Sequence, residues 1–147
     1  QRLSRGLGDV YKRQFMDIKI PFYIHKVGAG FPSPATDYIE DDVDLNNHLI
    51  KNSPATFIIR VQGKSMNNVG IYDGDLLIVD RSINPKNFST VIANVNDELV
   101  VKTILKEKGK TFLTSGSDKS SEKIYLANDQ EVIIWGVVTY VIHQVHH

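Results

Sequence analysis

The stretch from Phe57 to Asp80, FIIRVQGKSMNNVGIYDGDLLIVD, constrains this chain more than any other. Phe57 to Val61 and Leu76 to Val79 are apolar runs rich in β-branched residues, the composition of buried strands. Between them stand Gly63, Asn67, Asn68, Gly70, Asp73 and Gly74, residues that favour turns and loops. The pattern predicts strand, loop, strand. Ser65 falls where the first strand runs out. Rigid backbone there can hold a hydroxyl exposed, as a nucleophile requires. A serine in a turn equally needs no chemical reason to be there.

A second stretch gives that serine a possible partner. Glu98 to Leu105, ELVVKTIL, alternates with the period of a strand and sets Lys102 on the same face as Val100 and Ile104. An unpaired ammonium among apolar side chains is costly, and desolvation favours the neutral amine. A neutral amine is a general base, and Ser–Lys pairs are a known variant of the serine nucleophile with its base. The alternative is a lysine whose stem lies along apolar surface while its head reaches water.

These residues carry a resemblance. GKSM (63–66), DGDLLIVD (73–80) and ELVVKTI (98–104) resemble the serine–lysine self-cleaving peptidase domain shared by LexA-type repressors and UmuD-type mutagenesis proteins. Ser65 precedes Met66 as the family's serine precedes a methionine, and Lys102 follows in a valine-rich strand. Upstream, Ala29-Gly30-Phe31-Pro32-Ser33-Pro34-Ala35 resembles the family's cleavage segment, which is cut before a glycine. The resemblance runs from about Val27 to Val141. Read without it, Val27 to Gly30 with Pro32 and Pro34 is a Gly/Pro linker; read with it, the scissile bond joins Ala29 to Gly30. Alanine stands here where the best-known UmuD has cysteine, and LexA-type proteins use alanine at this position.

The resemblance implies both a mechanism and a role. Ser65 would attack the carbonyl of Ala29, and Lys102 would take the proton and return it to the amine of Gly30. Backbone N–H groups around Ser65, those of Ser65 and Lys64 being the candidates, would hold the oxyanion. Lys64 is also a weaker candidate for the base, since in an extended strand its side chain would point away from that of Ser65. UmuD-like proteins are cytoplasmic homodimers that remove their N-terminal arm in the DNA-damage (SOS) response, stimulated by a RecA filament on single-stranded DNA. The shortened form then joins the catalytic subunit of an error-prone translesion polymerase.

Composition bounds the remaining alternatives. At 147 residues the chain is one domain's worth. Lys+Arg and Asp+Glu both number 17, which argues against binding nucleic acid by bulk electrostatics but leaves a local patch open; no direct sequence-specific DNA binding is expected. With no cysteine there is neither a disulfide framework nor a thiolate metal site. His25, His48, His143, His146 and His147 lack metal-ligand spacing and read as surface histidines. No metal or cofactor is expected. No run approaches the roughly 18 apolar residues of a membrane span, and no signal peptide is evident, which counts against the signal-peptidase relatives with similar chemistry.

Taken in order, residues 1–14 (QRLSRGLGDVYKRQ) lack a sustained apolar period and read as a non-native extension, with a disordered arm as the alternative. Residues 15–50 form an N-terminal arm with the cleavage segment and a short helix. Asp17 to Lys26, with Pro21, is an extended arm or edge strand. Fewer than 30 residues precede Gly30, too few for the helix-turn-helix domain of a repressor, which favours the UmuD-type reading. Asp37 to Asp44 reads as a solvated acidic face, with Asp41, Asp42 or Asp44 capping a helix through Leu45, Leu49 and Ile50.

Residues 51–147 read as the β-rich peptidase domain. Thr90 to Val95 is a strand joined by Asn96-Asp97 to the Lys102 strand as a hairpin. Lys106 to Lys110 is a charged turn, Thr111 to Thr114 a strand, and Ser115 to Lys123 a polar loop. Glu131 to Ile142 is a strand bent at Gly136. The sum is a mostly β fold of short strands with one short helix, LexA/signal-peptidase-like and preceded by an extended arm. Two other functions stay open: a LexA-like SOS repressor fragment lacking its DNA-binding domain, and a non-catalytic interaction module that keeps the fold.

Overall fold

The computed structural model describes residues 20–23, 39–116, 122–126 and 132–147. The chain divides into two compact units, Gln1–Lys51 and Asn52–His147. In the first, β1 (Ile20–Tyr23) pairs antiparallel with β2 (Ile39–Val43), and the register shifts between Phe22 and Tyr23. Part of the acidic run read as a solvated face is therefore a strand. Backbone pairing decides it, because Ile39 and Val43 alone leave little apolar periodicity to read. Pro21 is tolerated because each strand of a two-stranded sheet has an open edge. Of the three aspartates that might cap the helix, Asp44 does so: its Oδ1 accepts the Asn46 N–H at 3.0 Å, opening α1 (Leu45–Leu49).

The second unit is an antiparallel sheet of seven strands in the order β3-β4-β9-β5-β6-β7-β8. They are β3 (Thr56–Arg60), β4 (Leu76–Asp80), β5 (Thr90–Val95), β6 (Glu98–Glu107), β7 (Lys110–Thr114), β8 (Lys123–Tyr125) and β9 (Val132–Ile142). The mostly β class with one short helix holds. Asn96 and Asp97 both adopt positive φ, 50° and 67°, and join β5 to β6 as a two-residue hairpin with Val95 opposite Glu98. Such turns match the twist of the strands they connect. Lys108 and Gly109, φ 50° and 75°, do the same between β6 and β7, so the charged turn is tighter than Lys106 to Lys110. β8 takes Lys123 out of the polar loop to which the sequence assigned it.

The last strand in sequence lies in the middle of the sheet. β9 pairs with β4 on one side and β5 on the other. It carries two bulges. Trp135 is the extra residue where Gly136 faces Ile92 and Ile134 faces Ala93, so the bend expected at Gly136 begins one residue earlier. Thr139 is the extra residue facing β4. Glycine is required at 136 because a Cβ there would lie 2.7 Å from Val79 Cγ1 and 3.1 Å from the Asp80 carbonyl oxygen.

Apolar side chains pack on both faces of the sheet. Val61, Met66, Ile71, Leu77, Val79 and Ile92 form one cluster; Val91, Ala93, Ile104, Leu113 and Val137 form the other. Central strands covered on both faces read as continuous apolar runs, as Leu76 to Val79 does. The first cluster matters most for the site, because Met66 and Ile71 belong to the loop between β3 and β4 and tie it to the sheet.

Candidate active site

The loop from Val61 to Asp75 is closed at its base by two backbone bonds. The Val61 N–H donates to the Asp75 carbonyl and the Gly74 N–H to the Val61 carbonyl, each at 2.8 Å. Within it the Gly63 N–H donates to Asp73 Oδ1 at 2.7 Å. Residues 63–66 form a bend and turn leading into a 3-10 turn, Asn67–Val69. The strand alternation expected to aim Lys64 away from Ser65 therefore does not apply. Ser65 and Lys64 are both exposed, while Met66, the next residue, is only 2% exposed and anchors the turn. Among the described residues neither the Lys64 nor the Ser65 backbone N–H is taken up by an acceptor.

Lys102 sits in β6 between Val100 and Ile104, half-buried, with Val91 of β5 opposite it. Ser65 and Lys102 line one cleft of about 350 Å³, with Ile59 to Gly63, Met66, Ile92 and Leu99 to Val101. Arg60 is the other charged side chain on its wall, and its Nη1 donates to the Gly74 carbonyl at 3.0 Å. The Lys102 amine does not bond Ser65. Lys102 Nζ donates instead to Ser115 Oγ at 2.8 Å. The proposed scissile residues, Ala29 and Gly30, lie outside the described residues.

Residues 21–139 match the model of the Peptidase S24-like family. The chain belongs to this family of serine peptidases. It is 40% identical to protein ImpA of Salmonella typhimurium over 124 residues, 84% of this chain and 83% of that protein. It is 38% identical to protein MucA of Escherichia coli over 122 residues, 82% of each chain. LexA repressor 1 of Pseudomonas syringae pv. tomato is 35% identical over 121 residues, 82% of this chain and 59% of that protein. ImpA and MucA are UmuD homologues, so the resemblance read from GKSM, DGDLLIVD and ELVVKTI holds.

This Peptidase S24-like chain contains a polar pair that its sequence did not reveal. Asp75, 2% exposed, closes the serine loop and is held by both oxygens. Oδ2 accepts the Tyr72 N–H at 2.8 Å, and Oδ1 lies 2.6 Å from His143 Nδ1 just beyond β9. Burial raises the Asp75 carboxyl. The Tyr72 N–H and the His143 ring, by hydrogen bond and charge, more than offset it, and the group titrates below its ordinary value. His143 is thus more than a surface histidine, although 45% of its side chain is exposed. Only the second aspartate of the DGD run, buried beside a strand end, hints at it. Among the described residues no group of His, Asp and Glu is arranged to hold a metal ion, and no helix is long and apolar enough to cross a membrane.

Proposed function

We propose that the chain is a self-cleaving serine–lysine peptidase that cuts its own Ala29–Gly30 bond and so becomes the accessory subunit of an error-prone translesion polymerase. The observation that carries this reading is a shared cleft. Ser65 and Lys102, far apart in sequence, line it together in a chain of the Peptidase S24-like family. The exposed hydroxyl and the uncommitted N–H groups of Lys64 and Ser65 are what acyl transfer needs.

In the proposed reaction the Lys102 amine, neutral, takes the Ser65 hydroxyl proton as Oγ bonds to the Ala29 carbonyl carbon. The oxyanion forms beside the Lys64 and Ser65 N–H groups. Collapse breaks the Ala29–Gly30 C–N bond, and Lys102 returns the proton to the Gly30 nitrogen. Water, deprotonated by the same amine, then hydrolyses the Ala29 ester and frees Ser65. The kinship with ImpA and MucA favours the polymerase-accessory role over that of a repressor fragment, since LexA repressor 1 is the less similar relative. The partners proposed with that role are a second copy of the chain, a RecA filament on single-stranded DNA, and a polymerase catalytic subunit. The setting is the cytoplasm.

The test is incubation of the purified chain from about pH 6 to 10, with and without RecA filaments, followed by mass measurement. The expected products end at Ala29 and begin at Gly30, and the rate rises with pH. Ser65→Ala abolishes cutting and leaves the fold intact. A chain that stays whole throughout is a non-catalytic module, and a flat pH–rate profile removes Lys102 as the base.

A further inference from the structure

We propose that Ser115 is a positioning residue for Lys102, a third polar member of the site that orients the amine without adding charge. This rests on the Ser65–Lys102 reading above. Its direct support is the 2.8 Å hydrogen bond from Lys102 Nζ to Ser115 Oγ.

The contact is built by the ladder. The ladder of β6 and β7 reaches Thr103 opposite Thr114, and Lys102 and Ser115 are the residues next to that last pair. Ser115 is half-buried, and the turn after it is constrained. Gly116 is buried with φ +71°, and a Cβ there would overlap the Asn68 carboxamide. Asn68 belongs to the 3-10 turn that follows Ser65 and Met66. The end of β7 therefore touches the serine's own loop through Gly116 and the proposed base through Ser115.

The chemistry of the partner matters as much as its position. Among the described residues no carboxylate pairs with Lys102. A carboxylate here would favour the ammonium, and an ammonium accepts no proton. A hydroxyl accepts one N–H from either form and carries no charge. With one N–H of the neutral amine committed to Ser115, rotation about the last side-chain bond is restricted and the lone pair is left for a second partner in the cleft. Arg60 and Lys102 are the charged side chains that line the cleft, and Lys64 is exposed beside Ser65.

The experiment uses the full chain with Ser115→Ala, Ser115→Thr and Ser115→Asp, each checked by thermal melting. It has two readouts: the pH–rate profile of self-cleavage, and the pH dependence of Lys102 acylation by acetic anhydride, read by mass spectrometry. Ser115→Ala is expected to slow cleavage about tenfold, and Ser115→Thr to recover most of the loss. Ser115→Asp moves the midpoint of both profiles up by about one pH unit. Cleavage by Ser115→Ala at the wild-type rate with an unchanged profile overturns the proposal. If the wild-type chain does not cut at all, the self-cleavage reading fails and acylation alone decides. Identical Lys102 profiles in wild type, Ser115→Ala and Ser115→Asp then overturn the role of Ser115.

Discussion

Lys102 and Ser65 share a cleft but are held by different means. Lys102 sits in the regular ladder of β6 with β5, one residue before the pairing with β7 begins at Thr103, and β5 and β7 are each joined to β6 by a two-residue turn. Ser65 stands on a loop with no ladder of its own. That loop is kept in shape by two backbone bonds at its base, by the buried side chains of Met66 and Ile71, and by the Asp75–His143 pair. Lys102 is thus positioned by many weak, repeated constraints. Ser65 depends on a few strong ones, so single changes in its loop should propagate to the whole cleft.

The largest effect is expected on the ladder side. Lys102→Met should reduce self-cleavage at least a thousandfold while the melting temperature holds or rises, because a half-buried amine is exchanged for an apolar side chain of similar length. A collapse of the melting temperature would show that Lys102 carries structure instead. On the loop side the order reverses. Met66→Ala should cost about 2–5 kcal/mol in denaturant unfolding, because it empties a site that is almost fully buried. An effect under about 1 kcal/mol would mean that the loop is anchored elsewhere.

Asp75→Asn sharpens the same contrast through pH. The carboxyl titrates lower folded than unfolded, so its contribution is present above the unfolded value and is lost as pH falls through the folded one. The variant should lose about 1–3 kcal/mol near neutral pH, and its gap to wild type should close below about pH 4. Melting curves at several pH values check this; a gap constant down to acid pH would remove the pair from the account. The smallest effect is expected within the ladder. Thr103 Oγ1 and Thr114 Oγ1 are buried and make no hydrogen bond among the described residues. Thr114→Val should therefore change stability by less than about 1 kcal/mol, in the stabilising direction.

The same contrast separates what could be read from the sequence from what could not. Thr90 to Val95 is an apolar run ending in Asn-Asp, two residues that tolerate positive φ, and the strand matches that range. The two strands flanking Ser65 were equally legible from their β-branched runs. Ile39–Val43 was not, because IEDDV holds only two apolar residues and becomes a strand by pairing with β1. Ser115 is one serine in a polar run, SGSDKSSEK, and only its hydrogen bond with Lys102 singles it out. The Asp75–His143 contact joins residues 68 positions apart, and no periodicity reports a pair at that separation.

The position of β9 has a consequence for when such a chain can act. β3 and β4 carry the serine loop, and β5 to β8 carry the lysine. Among the described residues, the strand between these two groups in the sheet is Val132–Ile142, which follows both of them in the sequence. A growing polypeptide holds both halves of the cleft before it holds the piece that aligns them. Translation order thus leaves the two groups without their shared neighbour in the sheet until β9 has been made.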